Sequence, residues 1–322
     1  MHLDSRFKAA AGTIAAVGLL AALAAGGPAS ASSSGQSAAV ACTQSKNVEA
    51  ILDDSGSMNA TDPDNFRGKL MSAYIGLGGN QGKTLGAVKF STDASTLFSP
   101  QPINAGTRAV MDAAFTNGLV SSGTTNYDAG FTLANQENPN ATSRIFLSDG
   151  APTDDTDLHR TPPIKTYVVG LGVGNDATAV QELTQIASDT GGPPPIFIED
   201  AGQLQAAAGA ITAGQNCKAL LTFVDTFSAQ GQAFGHKFKA RGKAADILTS
   251  WPVIGDVIDV KAKALGLGGK KASVSKVRVK KTSGATFVSL RIKGLKKGQK
   301  VKLKVTAKTL PAPTTATTQV IR

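Results

Sequence analysis

The chain has 322 residues with 41% apolar and 17% charged, a length that suits two folded domains once an exported leader is removed. It carries 33 Lys and Arg against 23 Asp and Glu, for a net charge of +10. No apolar stretch beyond the first 31 residues could span a bilayer, and the three histidines, His2, His159 and His236, support no Ser–His–Asp arrangement for hydrolysis.

Taken in chain order, the first segment is a targeting signal. Arg6 and Lys8 make a basic start, Ala9 to Ala25 is apolar, and Ala29-Ser30-Ala31 has the small-x-small pattern of a cleavage site. A signal peptide over 1–31 predicts a secreted, extracellular protein. The alternative, a membrane anchor, is opposed by the shortness of the run and by Gly12 and Gly18 within it. Residues 32–41 are rich in Ser, Ala and Gly and read as a disordered linker. Cys42 stands before the first predicted strand and Cys217 after the last predicted helix of the next region, so an exported chain with this even count predicts a Cys42–Cys217 disulfide. Ala39-Val40-Ala41-Cys42 loosely resembles a lipidation site, which leaves a lipidated Cys42 as the alternative.

From Cys42 to Cys217 strands and helices alternate. Apolar runs at Val48–Leu52, Ala87–Phe90, Ile145–Leu147, Tyr167–Val169 and Ile196–Ile198 predict buried strands. Helical spacing of apolar residues marks Asn65–Ile75, Arg108–Phe115, Asp128–Ala134, Ala179–Ala187 and Gln203–Ile211. The alternation predicts an α/β fold, a mostly parallel sheet with helices on both faces, in which ligands bind at the carboxyl ends of the strands. From Lys218 to Arg322 there are 22 Lys and Arg against 4 acidic residues. Here period-two patterns appear, with Val288, Leu290 and Ile292 between polar residues, Val301, Leu303 and Val305 between lysines, and Val277 and Val279 likewise. Residues 218–322 therefore read as a smaller, basic, all-β antiparallel sandwich-like domain, with Trp251 as a core anchor.

Three segments carry the chemistry. Asp53-Asp54-Ser55-Gly56-Ser57 follows the first strand, Gly123-Thr124-Thr125-Asn126 lies between helices, and Asp149-Gly150 follows the strand at Ile145–Leu147. Two carboxylates and three hydroxyls are hard oxygen donors of the kind Mg²⁺, Mn²⁺ or Ca²⁺ takes. In this order the segments resemble the von Willebrand factor A (vWA) domain and its metal-ion-dependent adhesion site, which reads Asp-x-Ser-x-Ser, then a distant Thr, then a distant Asp. The resemblance covers roughly residues 42 to 217 and assigns Asp53, Ser55, Ser57, Thr125 and Asp149 as the metal-site residues. It implies a Rossmann-like sheet, a divalent cation (Mg²⁺ first), carboxylates that orient hydroxyls and waters, and a partner protein that offers an acidic side chain. Asp54, at the variable position, is expected to face solvent. Asp154, Asp155 and Asp157 read as a solvated acidic loop.

The expected function is that of a secreted, non-enzymatic binding or adhesion protein. The alternative is a structural or assembly component whose vWA-like domain docks a sister subunit. The basic domain suggests an anionic cell-surface polymer or glycan as a second partner, while its few aromatics make nucleic acid a poor fit. Gly79-Asn80-Gln81-Gly82-Lys83-Thr84 imitates a phosphate-binding loop, but Leu77 stands where its first Gly belongs and the segment runs from helix to strand. Asn59-Ala60-Thr61 and Asn140-Ala141-Thr142 are glycosylation sequons of low specificity.

Overall fold

A computed structural model describes residues 42–153, 161–265, 278–284 and 286–322. The signal 1–31, the linker 32–41, the acidic residues Asp154, Asp155 and Asp157, and Val277 lie outside the described residues.

The first sheet contains β1 (Asn47–Asp53), β2 (Thr84–Phe90), β3 (Ala94–Pro102), β4 (Ser143–Ser148), β5 (Thr166–Leu171) and β6 (Ile196–Ile198). Their order is β3-β2-β1-β4-β5-β6, and every pairing is parallel except the β2–β3 hairpin. Around it lie α1 (Met58–Thr61), α2 (Phe66–Gly76), α3 (Arg108–Asn117), α4 (Tyr127–Glu137), α5 (Ala177–Asp189) and α6 (Leu204–Gln215).

Side-chain alternation along β1 divides the core in two. Val48, Ala50 and Leu52 pack with Leu70, Met71 and Tyr74 of α2, Phe115 of α3 and Ile211 of α6. Ile51 points to the other face, with Phe131 of α4 and Leu183 of α5. Helices cover both faces, so β1 from Val48 onward and all of β4 are buried at every position rather than alternately, Glu49 and Arg144 included. The strand order reverses between β1 and β4, and at such a switch point a crevice opens beyond the strand ends.

The remaining strands are β7 (Leu220–Phe227), β8 (Ala233–Lys239), β9 (Ala244–Ser250), β10 (Val257–Ala264), β11 (Arg278–Gly284), β12 (Phe287–Lys293), β13 (Lys300–Thr309) and β14 (Thr314–Ile321). They form two antiparallel sheets, β10-β13-β8 and β11-β12-β9-β14-β7. Between the sheets lie Ile247, Leu290, Val301, Val305 and Trp251, whose indole nitrogen donates to the Asp256 carbonyl at 3.1 Å.

The five-stranded sheet also buries its other face. Leu248, Phe287 and Ile321 join the α2/α6 core, Ser289 Oγ donates to the Gly76 carbonyl at 3.0 Å, and Gln205 Nε2 donates to Thr286 Oγ1 at 2.5 Å. Residues 42–322 accordingly form one compact unit. Cys42 and Cys217 are joined by a disulfide, with their Cα atoms 5.8 Å apart. No helix among the described residues is long and apolar enough to cross a membrane.

Candidate metal centre

Asp53 ends β1 and Asp149 follows β4, so the two adjacent central strands deliver both carboxylates to the switch point. Asp53 is fully buried. Its Oδ1 accepts from the Ser55 amide at 2.8 Å and its Oδ2 from Ser148 Oγ at 2.5 Å. Ser55 Oγ and Ser57 Oγ stand 3.0 Å apart, and Ser57 Oγ donates to Asp149 Oδ1 at 2.7 Å. Thr61 Oγ1, at the end of α1, donates to Asp149 Oδ2. Ser55, Ser57 and Asp149 thus form one hydrogen-bonded chain, tied to Asp53 through the Ser55 amide.

The loop that carries Thr125 is tied by its backbone to the segments on either side of this cluster. Asn126 caps α4 by accepting from the Ala129 amide at 2.9 Å, which sets Thr125 immediately before the helix. The Gly56 amide donates to the Gly123 carbonyl at 3.0 Å, tying this loop to the first one. On the other side the Thr153 amide and hydroxyl donate to the Thr125 carbonyl at 2.8 and 3.0 Å, tying it to the segment after Asp149. Thr125 is buried, whereas Thr124 is exposed and its hydroxyl bonds to Thr92 Oγ1 at 3.2 Å. Gly123 has φ +80° and would place a Cβ 2.6 Å from Thr92 Oγ1, so this turn needs glycine. Beneath the loops lies an aromatic cluster in which Phe146 stacks on Phe90 and Phe131 and meets Tyr127 edge-on; the Tyr127 hydroxyl donates to the Gly150 carbonyl at 2.6 Å.

Asp54 corrects an expectation. It is buried, not solvent-facing. Its Oδ1 accepts from Arg67 Nη2 at 2.9 Å and from the Ser121 amide at 2.8 Å, and its Oδ2 accepts from Lys89 Nζ at 2.9 Å. Arg67, itself 1% exposed, also pairs with Asp62 at 3.2 Å. The physical reason is charge pairing: two cations, 13 and 35 positions away, converge on one carboxylate. Together with the Ser122 amide donating to the Asp54 carbonyl at 2.7 Å, this anchors the loop that leads to Thr125. Thr61 and Ser148 were also missed as neighbours of the carboxylates. Thr61 showed itself only as part of a sequon, and Ser148 only as the residue between a strand and Asp149.

The electrostatics favour a cation. Among the described residues no Lys, Arg or His pairs with Asp53 or Asp149. Burial pushes the Asp53 carboxyl up to about 6, and the Asp149 carboxylate pushes the same way, while the bonds from Ser148 and Ser55 oppose them. Two buried carboxylates held only by hydroxyls and amides form an excess of negative charge that a divalent cation would balance. The donor set of carboxylate and hydroxyl oxygens fits a hard ion. No group of three or more His, Cys, Asp or Glu placed to hold a metal occurs among the described residues, so a cation here relies on hydroxyls.

No curated protein matches the chain. Among solved structures it is similar to a von Willebrand factor type A protein from Catenulispora acidiphila, with 16% identity and a TM-score of 0.47, over 82% of this chain and 58% of that one. It is similar to proximal thread matrix protein 1 from the mussel byssus, with 16% identity and a TM-score of 0.45, over 56% of this chain and 50% of that one. A further structure of the mussel protein, described as having a zinc-occupied metal-ion-dependent adhesion motif, matches at 17% identity and a TM-score of 0.42, over 56% and 50% of the two chains. The chain thus spans only 50 to 58% of the length of these relatives. The family model of the von Willebrand factor type A domain matches residues 47–209, which is half of the chain, and the protein belongs to that family.

Proposed function

We propose that this is a secreted, non-enzymatic adhesion protein that engages a protein ligand through a divalent cation held by Asp53, Ser55, Ser57, Thr125 and Asp149. Residues 42–217 serve as the binding domain and residues 218–322 as a second, basic domain. The observation that carries the reading is the bond from Ser57 to Asp149, which joins the first and third motif segments at the switch point of the sheet. When bound, a hard divalent cation supplies an electrophilic point that a partner's carboxylate can complete.

The chain's own residues do the rest. Neutral hydroxyls from Ser55, Ser57 and Thr125 leave positive charge uncompensated at the site. Asp53 holds the Ser55 backbone, and Asp149 orients Ser57 from beyond it. Asp54 and Arg67 fix the two loops against each other.

The test is a titration of the full chain with a short peptide carrying a single glutamate among neutral residues, followed by amide NMR. In magnesium the amides of Gly56 and Gly150 should shift, and EDTA or Ser57→Ala should abolish the shift. Equal shifts with and without EDTA would refute cation-mediated binding.

A further inference from the structure

The outer face of the β10-β13-β8 sheet carries an array of like charge. Lys302 on β13 stands opposite Lys263 on β10 and Lys237 on β8, which makes a row of three across the sheet. Lys304 stands opposite Lys261, and Lys300 opposite Lys239, two residues to either side of that row. All seven are exposed, while Val301, Leu303 and Val305 between them point into the core. Lysines directly opposite one another repel, so the arrangement works against the sheet it decorates.

Little nearby relieves the repulsion. Of the four carboxylates of this half, Asp225 bonds His236 at 2.8 Å, Asp246 pairs with Arg291 and Asp256 is 2% exposed, while Asp259, on the lysine face beside Lys261, is engaged by Lys281 at 2.6 Å. Among the described residues none of the seven lysines is ion-paired. The exposed Arg241, Lys296 and Lys297 extend the positive charge past the end of the face at Lys239 and Lys300.

We infer that this lysine face is a docking surface for a linear, carboxylate-bearing polysaccharide. The face is three strands wide and up to ten residues long, so it is a track rather than a plane. Its charges repeat about every 6.7 Å along a strand and about every 4.8 Å across, a spacing comparable with one charge per sugar ring. Duplex DNA presents a charge about every 1.7 Å along its axis, far denser than this ladder. The face has no aromatic side chain on which a base could stack. It has lysines but no arginine, so it reads point charges without the bidentate geometry of a stereospecific anion site. The inference is independent of the cation site.

The test measures retention of the full chain on immobilised polygalacturonate in EDTA, which silences any cation-mediated contact. Wild type should bind and be released by rising salt. The row variant Lys237→Gln/Lys263→Gln/Lys302→Gln should bind about tenfold or more weakly. A control removing equal charge elsewhere, Lys46→Gln/Lys165→Gln/Lys218→Gln, should stay within about twofold. The thermal midpoint of the row variant should hold or rise, because the change removes repulsion. The same row changed to Arg should still bind. Equal losses in row and control variants would overturn the inference by showing that net charge alone decides. Displacement by anionic phosphatidylglycerol vesicles or duplex DNA at equal charge that outperforms free polymer would overturn it in favour of a bilayer or nucleic acid.

Discussion

Ser57 donates a 2.7 Å hydrogen bond to Asp149 across a separation of 92 residues. Because Asp149 is buried and Ser57 lies at the exposed start of α1, this bond is the seam between the two loops of the site. Ser57→Ala should lower stability in EDTA by about 1 kcal/mol, the net worth of one such bond to a partly solvated donor. It should also remove most of the stabilisation that magnesium gives wild type. Urea denaturation with and without the cation measures both.

Arg67 holds a buried carboxylate at each end, Asp54 at 2.9 Å and Asp62 at 3.2 Å. Its removal would leave both in the interior without that partner. Arg67→Ala is expected to destabilise the fold by about 3–5 kcal/mol, the range for breaking a buried pair. A loss below about 1 kcal/mol would place the cluster among exposed pairs.

Lys83 is a buried amine whose Nζ donates to Gln215 Oε1 at 3.0 Å, and burial pulls its pKa down to about 7. The folded state therefore releases this proton near pH 7, while the unfolded chain keeps it until about pH 10.4. Between those values the unfolded state binds more protons, so stability rises with pH across that window and is flat with respect to this group below it. Lys83→Met should flatten the rise between about pH 7 and 9.5, which denaturation midpoints across pH would show.

The Cys42–Cys217 disulfide closes a loop with a sequence separation of 175. In the chain-entropy description a loop of this length stabilises by up to about 5 kcal/mol. Cys42→Ser/Cys217→Ser should lower the unfolding free energy by about 2–5 kcal/mol, and reduction of wild type should lower it similarly.

What the sequence made legible follows from what local pattern can encode. The strands β1, β2, β4, β5 and β6 and the helices α2 to α6 were readable because strands of a covered sheet leave short, mostly apolar runs and helices leave their own period. The edge strand β3 was not, since Ala94–Pro102 is polar, half exposed and contains two prolines. β11, β12 and β13 were readable from alternation. β9 was hidden because it is buried on both faces yet carries Asp246, Thr249 and Ser250; Asp246 and Thr249 find partners only across the fold, in Arg291 and in the Thr249–Thr318 bond of 2.9 Å. At the site, the spacing of the motif picked out the hydroxyls and carboxylates. The burial of Asp54 depends on Arg67 and Lys89, and no local signal announced that convergence.

The most direct measurement is a thermal-unfolding titration with Mg²⁺, Mn²⁺ and Ca²⁺ on wild type and on Ser55→Ala. An ion that binds only the native state raises the midpoint as its concentration rises. Wild type should show this rise with at least one of the three ions, and Ser55→Ala little or none. A wild-type midpoint indifferent to all three, or an equal rise in the variant, would contradict a cation site built on these residues.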